Sequence, residues 1–312
     1  MPCGGVKRTA NRPNFFIIGA PKCGTTAMAH YLSGHPEIFM ARKEMHAFGA
    51  DLRFGARFYR REPEAYLAEF GDWDGQPRSG EASVWYLYSQ QAASEIRVFN
   101  PDSRIIVMLR EPAEMLYSLY YQFRFDANEH LPTFEQALDA EDERRLGLGV
   151  RRPTYFVQGL VYRETARYAQ QVRRFFDTFG RERVHVVLYD DFASNPEQVY
   201  QRTLDFLEVK PLSFQNRFRV INGNKFVRSC LLRSVLADPL VRATVLAMRP
   251  WLPSSVFGAL QRAEATIWRC NTRFARRPPL NPELRAKLKR EFAPEVERLS
   301  RLLGRDLTHW ST

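Results

Sequence analysis

The chain is poor in cysteine. Four occur in 312 residues, Cys3, Cys23, Cys230 and Cys270, and none forms a C-x-x-C pair. That excludes a disulfide-stapled scaffold and the usual zinc spacings. Lysine is also scarce, at 7 of 46 basic residues, the other 39 being arginine. No run reaches the roughly 20 apolar residues that a membrane-spanning helix needs. The stretch from Met1 to Asn14 is polar and lacks the apolar centre of a signal peptide. Internal repeats and low-complexity tracts are absent. These absences together lead us to expect a globular chain with reduced thiols, cytoplasmic, touching a membrane peripherally if at all.

What is present is apolar mass and unevenly placed charge. Hydrophobic residues make up 45% and aromatics 13%, enough for a sizeable core, and the formal net charge is +11. Residues 1–216 hold 27 basic and 28 acidic residues, whereas residues 217–312 hold 19 and 7. Arginine forks onto phosphate and sulfate through two parallel hydrogen bonds. An anionic ligand or surface is therefore expected. No nucleic-acid-binding motif is present, and no nucleic-acid partner is expected.

Short apolar runs alternate with helical patterns. Asn14-Phe-Phe-Ile-Ile-Gly19, Arg104-Ile-Ile-Val-Met-Leu109 and Val184-His-Val-Val-Leu-Tyr189 read as buried strands. Helices are expected over Thr25–Ser33, Glu114–Phe125, Tyr162–Phe179, Leu231–Leu246 and Pro282–Leu303, with Pro294 restarting the last one and Gly304 capping it. Residues 127–153 read as an exposed loop or a small helical insertion. The alternation predicts an α/β fold, a P-loop-like parallel sheet flanked by helices, with a helical C-terminal extension.

Gly19-Ala-Pro-Lys22-Cys23-Gly24-Thr25-Thr26 follows the first strand and opens a helix. Amides at such a turn converge on one point, and the helix dipole favours an anion there. The spacing matches the nucleotide-binding loop G-x-x-x-x-G-K-[ST], except that Thr25 replaces its lysine. The loop's lysine comes earlier, at Lys22. The segment resembles the P-K-x-G-T-T loop of sulfotransferases that use 3′-phosphoadenosine-5′-phosphosulfate (PAPS), most of all the heparan-sulfate type and its bacterial relatives. That resemblance implies that Pro21, Lys22, Cys23, Gly24, Thr25 and Thr26 hold the 5′-phosphosulfate. It also implies that Lys22 stabilises the leaving phosphate oxygen. Cys23 departs from the small residue usual at its position.

Arg110 ends a parallel strand, where ligands bind in open α/β sheets. Ser118 follows about two helical turns later. By resemblance to the family's R-x-P and helical serine, Arg110 and Ser118 take the 3′-phosphate. Asn222-Gly-Asn224-Lys225-Phe-Val-Arg228-Ser229 is similar to the family's late loop, which implies further 3′-phosphate contacts from Lys225 and Arg228.

Sulfuryl transfer to a hydroxyl needs a base for the proton and cations for the transferring oxygens. Lys43-Glu44-Met45-His46-Ala47-Phe48 resembles the family's K-E-x-H-x-F, which implies Glu44 as general base. His46 is the alternative, since imidazole titrates near neutrality. Gly80-Glu81-Ala82-Ser83-Val84-Trp85-Tyr86 is similar to G-E-x-[ST]-P-x-Y. It implies Glu81 and Ser83 at the acceptor, or Glu81 orienting the base loop. Ala82 stands where heparan-type members often carry lysine, which speaks against a polysulfated acceptor.

The resemblance implies a PAPS-dependent O-sulfotransferase, with a hydroxyl on a glycan, glycolipid or small metabolite as acceptor and no metal. One domain is expected over 14–312, after a disordered tail at 1–13. It comprises a core at 14–230, a helical insertion or lid at 231–281 and a terminal helix at 282–312. A kinase or ATPase is the alternative enzyme class, with Val184–Asp190 imitating a magnesium-binding strand. A basic membrane-surface binding protein is the third class, suggested by residues 229–262.

Overall fold

Consecutive apolar residues set the centre of the sheet. Phe15, Phe16, Ile17 and Ile18 are wholly buried, as are Ile105 to Leu109. Burying each such side chain contributes about 1.5–3 kcal/mol. In the computed structural model, residues 12–41, 43–55, 62–151, 154–212, 225–229, 254–275 and 277–312 are described, with single residues at 232, 244, 247 and 251. The expected N-terminal tail up to residue 11, Asn222–Asn224 of the late loop and nearly all of 231–253 lie outside them.

Five parallel strands form one sheet: β1 Phe15–Gly19, β2 Ile38–Met40, β3 Arg78–Ala82, β4 Arg104–Leu109 and β5 Val184–Leu188, in spatial order β2-β3-β1-β4-β5. The chain fills one side of β1 first, then crosses to the other. The order reverses beside β1, and open sheets bind ligands at the carboxyl ends of the strands at such a point. Helices α1 Thr25–Ser33, α2 Pro63–Ala68, α3 Ala92–Phe99, α4 Pro112–Phe125, α5 Phe134–Asp139, α6 Glu141–Arg145, α7 Tyr162–Thr165 and α8 Tyr168–Phe179 flank it. The chain continues through α9 Tyr189–Ser194, α10 Pro196–Leu207, β6 Lys225–Val227, α11 Ser254–Asn271, β7 Thr272–Phe274 and α12 Pro282–Leu303. Strands β6 and β7 form a separate antiparallel pair.

Local chemistry explains the boundaries. Glu111 caps α4 by accepting the Glu114 amide, and Pro112 occupies the first turn, where its missing N–H costs nothing. Asn195-Pro196 and Asn281-Pro282 open α10 and α12 in the same manner. Gly304 ends α12 in the left-handed conformation, φ 65°.

Two expectations need correction. The helix expected over Tyr162–Phe179 breaks at Ala166–Arg167, because the Ala169 amide is capped by the buried Glu295 carboxylate, 2.7 Å away on α12. Helix α12 runs through Pro294 rather than restarting there. Leu288, Phe292, Val296 and Leu299 are buried along one face, and that packing outweighs the lost hydrogen bond. Of the two alternatives for residues 127–153, the described part, 127–151, is the helical insertion, anchored by an ion pair: Arg144 meets the Glu129 carboxylate with two bonds of 2.8 Å, both side chains wholly buried.

Candidate active site

A cavity of about 590 Å³ opens beside the carboxyl ends of β1 and β4. The β1–α1 loop forms its floor. Lys22 has φ 61° and Gly24 φ 91°, a sequence of conformations that turns successive amides inward. A Cβ on Gly24 would meet the Phe192 ring at 3.2 Å. The first turn of α1 carries neither a side-chain cap nor an acidic residue, so its amides and dipole remain available to an anion.

Pro21, Lys22, Gly24, Thr25 and Thr26 all line the cavity. Lys22 Nζ donates to Gln122 Oε1 at 2.9 Å. Cys23 instead faces the core. Burial pushes its thiol up to about 12 against the opposing charges of Arg110 and Lys22, so any part it takes is through its backbone.

Helix α4 supplies the opposite wall. Glu114, Ser118 and Gln122 recur every fourth residue and so share one face. Arg110, at the end of β4, lies over the Tyr189 ring at 4.6 Å and bonds Glu114 at 3.2 Å. Glu114 also pairs with Arg285. Arg110, Ser118 and Tyr189 line the cavity together.

The segment after β2 brings Lys43, Glu44 and His46 to the same cavity. Lys43 Nζ donates to Thr25 Oγ1 at 3.1 Å and Thr26 Oγ1 at 2.7 Å, and lies 3.5 Å from Glu44 Oε1. His46 Nε2 lies 3.0 Å from Glu44 Oε2. Burial pushes the Glu44 carboxyl up, but the hydrogen bond from His46 and the charge of Lys43 more than offset it. The net effect holds Glu44 below the usual carboxylate range. The His46 ring is almost wholly buried and packs on Phe54, with centroids 4.5 Å apart.

Glu81 and Ser83, expected at the acceptor, stand behind this segment and outside the cavity lining among the described residues. Ser83 Oγ accepts the amides of Met45 and His46, each at 3.1 Å, and donates to Glu81 at 2.7 Å. Tyr66 and Tyr86 hydroxyls also donate to Glu81, and the Ala47 amide donates to Tyr86. Burial raises the Glu81 carboxyl, and these hydroxyl bonds oppose it. Of the two roles implied for Glu81, the geometry is that of holding the base loop.

The late basic segment also differs. Lys225 opens β6 in register with Phe274, and Arg228 is exposed, outside the described lining. Strand β7 leads instead to Arg277, which lines the cavity. Its guanidinium lies 5.9 Å from the Tyr117 ring centre, and Nη1 is buried without a hydrogen-bond partner among the described residues. Burial and then the like charge of Arg110 lower its pKa. Two guanidinium groups thus share one cavity, an arrangement that an anion relieves. Sequence reasoning missed Arg277 and the contacts of Lys43. One available signal was lysine scarcity: only Lys7, Lys22 and Lys43 precede Lys210.

The acidic pair after β5 turns elsewhere. Asp190 accepts from Trp310 at 2.6 Å, and Asp191 pairs with Arg305. Neither lines the cavity where a magnesium-binding acid would be needed. Beyond Glu44, the cavity walls include Phe54, Trp85, Phe123 and Tyr155.

The sulfotransferase domain family matches residues 12–227. Carbohydrate sulfotransferase 15 of Mus musculus is 30% identical over 258 residues, covering 64% of this chain and 44% of that protein. The membrane-associated sulfotransferase kil1 of Dictyostelium discoideum is 21% identical over 273 residues, covering 65% and 57%. The chain thus spans about half the length of these curated relatives. A crystal structure of a sulfotransferase from Alicyclobacillus acidocaldarius superposes with TM-score 0.68 at 31% identity, over 96% of this chain and 99% of that one. These relatives correct the expectation of a cytoplasmic enzyme, since one of them is membrane-associated by name. Cysteine count and N-terminal polarity were too indirect to decide the compartment. Among the described residues, no helix is long and apolar enough to cross a membrane.

Proposed function

The chain belongs to the sulfotransferase family, and from that premise we propose that it moves the sulfuryl group of PAPS to a carbohydrate-type hydroxyl. The acceptor class follows the name of the matched carbohydrate sulfotransferase. One juxtaposition supports the reading above all. The carboxylate of Glu44 stands in the same cavity as the anion loop, with Lys43 touching both.

The loop amides, Thr25 and Thr26 hold the 5′-phosphosulfate, and Lys22 steadies the bridging oxygen as it leaves. Arg110, Ser118 and Arg277 take the 3′-phosphate, which places a doubly charged group between two guanidinium groups. Glu44 removes the acceptor proton, and His46 fixes its orientation. Positioning and fixed charge supply most of the catalysis, as in phosphoryl transfer. Residues 14–312 act as one catalytic unit, with the β6–β7 pair delivering Arg277.

Incubation with sulfur-labelled PAPS and a panel of glycans, glycolipids and small hydroxyl metabolites tests this. Label should enter a carbohydrate. ATP with magnesium should not replace PAPS as a ligand. Binding of ATP but not of 3′-phosphoadenosine-5′-phosphate (PAP) would sink the reading.

A further inference from the structure

Nucleotide-binding loops carry a lysine just before their last Ser or Thr. This loop has Thr25 there. The fold fills the position from a different segment. Lys43 brings its ammonium to 3.1 Å from Thr25 Oγ1 and 2.7 Å from Thr26 Oγ1, at the uncapped start of α1. Its other partner is the Glu44 carboxylate, 3.5 Å away. One cation therefore touches both the anion loop and the group assigned as base. The Lys43 side chain is only 22% exposed, so its charge is poorly screened by water.

We propose that Lys43 is a catalytic residue: donor binding draws its ammonium from the Glu44 carboxylate onto the transferring sulfuryl oxygens, so one movement both stabilises the transition state and frees the base. This builds on the sulfotransferase reading. The acceptor oxygen forms a bond to sulfur while the bond from sulfur to the 5′-phosphate oxygen breaks. The electron pair stays on that phosphate oxygen, beside Lys22. The acceptor proton passes to Glu44, and Lys43 keeps its own. In the structure the two threonine hydroxyls accept from Lys43. Each hydroxyl keeps its own proton, which it can donate to the donor's oxygens.

Glu44 is faced by Lys43 and His46 from its own segment. Lys22, Arg110, Asp126 and Arg277 line the same cavity from the other elements. Moving Lys43 away removes the adjacent ammonium, so Glu44 binds a proton more readily. Its pairing with His46 still sets its direction.

The test compares wild type, Lys43→Gln and Lys43→Arg, by titration with PAP and by transfer from PAPS across pH. PAP binding by each variant reports that it is folded. Lys43→Gln should retain PAP binding and lose turnover by about 10²–10³-fold, as when one fixed donor to developing charge is removed. Lys43→Arg should recover part of that loss. In wild type the acid limb of kcat should lie above that of kcat/KM, and in Lys43→Gln the two should converge. Unimpaired turnover of Lys43→Gln, or limbs that do not converge, overturns the inference while wild type still binds PAP. A wild type that binds no PAP overturns the sulfotransferase reading and this inference with it.

Discussion

Glu81 and the backbone of His46 are joined through a single oxygen. Ser83 Oγ donates to the Glu81 carboxylate at 2.7 Å and accepts the His46 amide at 3.1 Å. The position of Glu44 thus rests on a buried polar network in which three hydroxyls converge on the Glu81 carboxylate. Such networks are rigid when complete and costly when broken.

Ser83→Ala removes the acceptor for two buried amides and one donor to Glu81. It should cost about 1–3 kcal/mol of stability per unsatisfied group and lower turnover further than that loss alone explains. Chemical denaturation and steady-state kinetics on the same preparation check it. Unchanged turnover would mean the loop is held by other contacts.

Lys22→Ala should lower turnover by about 10²–10³-fold while PAP affinity falls far less, because the charge on the bridging oxygen develops only during transfer. Single-turnover kinetics with PAPS separate the two effects. Equal losses in both would make Lys22 a simple binding residue.

Arg110→Ala should weaken PAP binding by about 1.5–3 kcal/mol, the range for a hydrogen bond to a charged group. Adenosine-5′-phosphosulfate, which lacks the 3′-phosphate, should bind almost as before. Calorimetry with both ligands decides it, since equal weakening places Arg110 elsewhere.

Glu44→Gln should abolish turnover and leave PAP affinity close to wild type. Its carboxyl is held below the ordinary 4.5, so it is ionised throughout the neutral range. Base function is lost only as pH falls through that lowered value. The acid limb of kcat/KM should therefore lie below 4.5 in wild type. A limb above 4.5 would argue against Glu44 as the base.

Stability should carry a separate acid signature from His185. Burial pushes its pKa down from 6.5 to about 4, and the nearby Arg202 charge adds to this. The ring stacks on Phe206 at 5.1 Å. Because the folded state resists protonation, this contribution is complete above 6.5 and is lost as pH falls towards 4. His185→Gln should flatten the Tm-versus-pH curve over that interval. An unchanged slope would assign acid sensitivity to other groups.

Apolar continuity made β1, β4 and β5 legible, and Gly304 marked the end of α12. Strand β3 escaped notice because its sequence, Arg-Ser-Gly-Glu-Ala, has no apolar run. It is buried because Gly80 packs directly on Phe15 and Glu81 finds three hydroxyl partners. The break before α8 was equally hidden, since its cap comes from Glu295, 126 residues away. The loop lysine, Arg110, Ser118 and Glu44 could be read from local motifs. Arg277 could not, because it reaches the cavity from a segment distant in sequence, beside Tyr117 of α4, whose hydroxyl donates to the Pro278 carbonyl.

Arg277 also sets a timetable. It follows Lys22 by 255 residues, yet both line one cavity. At synthesis rates of about 5–20 residues per second, the phosphate loop precedes its distant partner by roughly 13–50 s. Contacts of such sequence separation are slow to form, since a long stretch of chain must be ordered before they repay it. The cavity is therefore completed late in folding, and on the proposed role of Arg277 full affinity for PAP would report that its segment has docked.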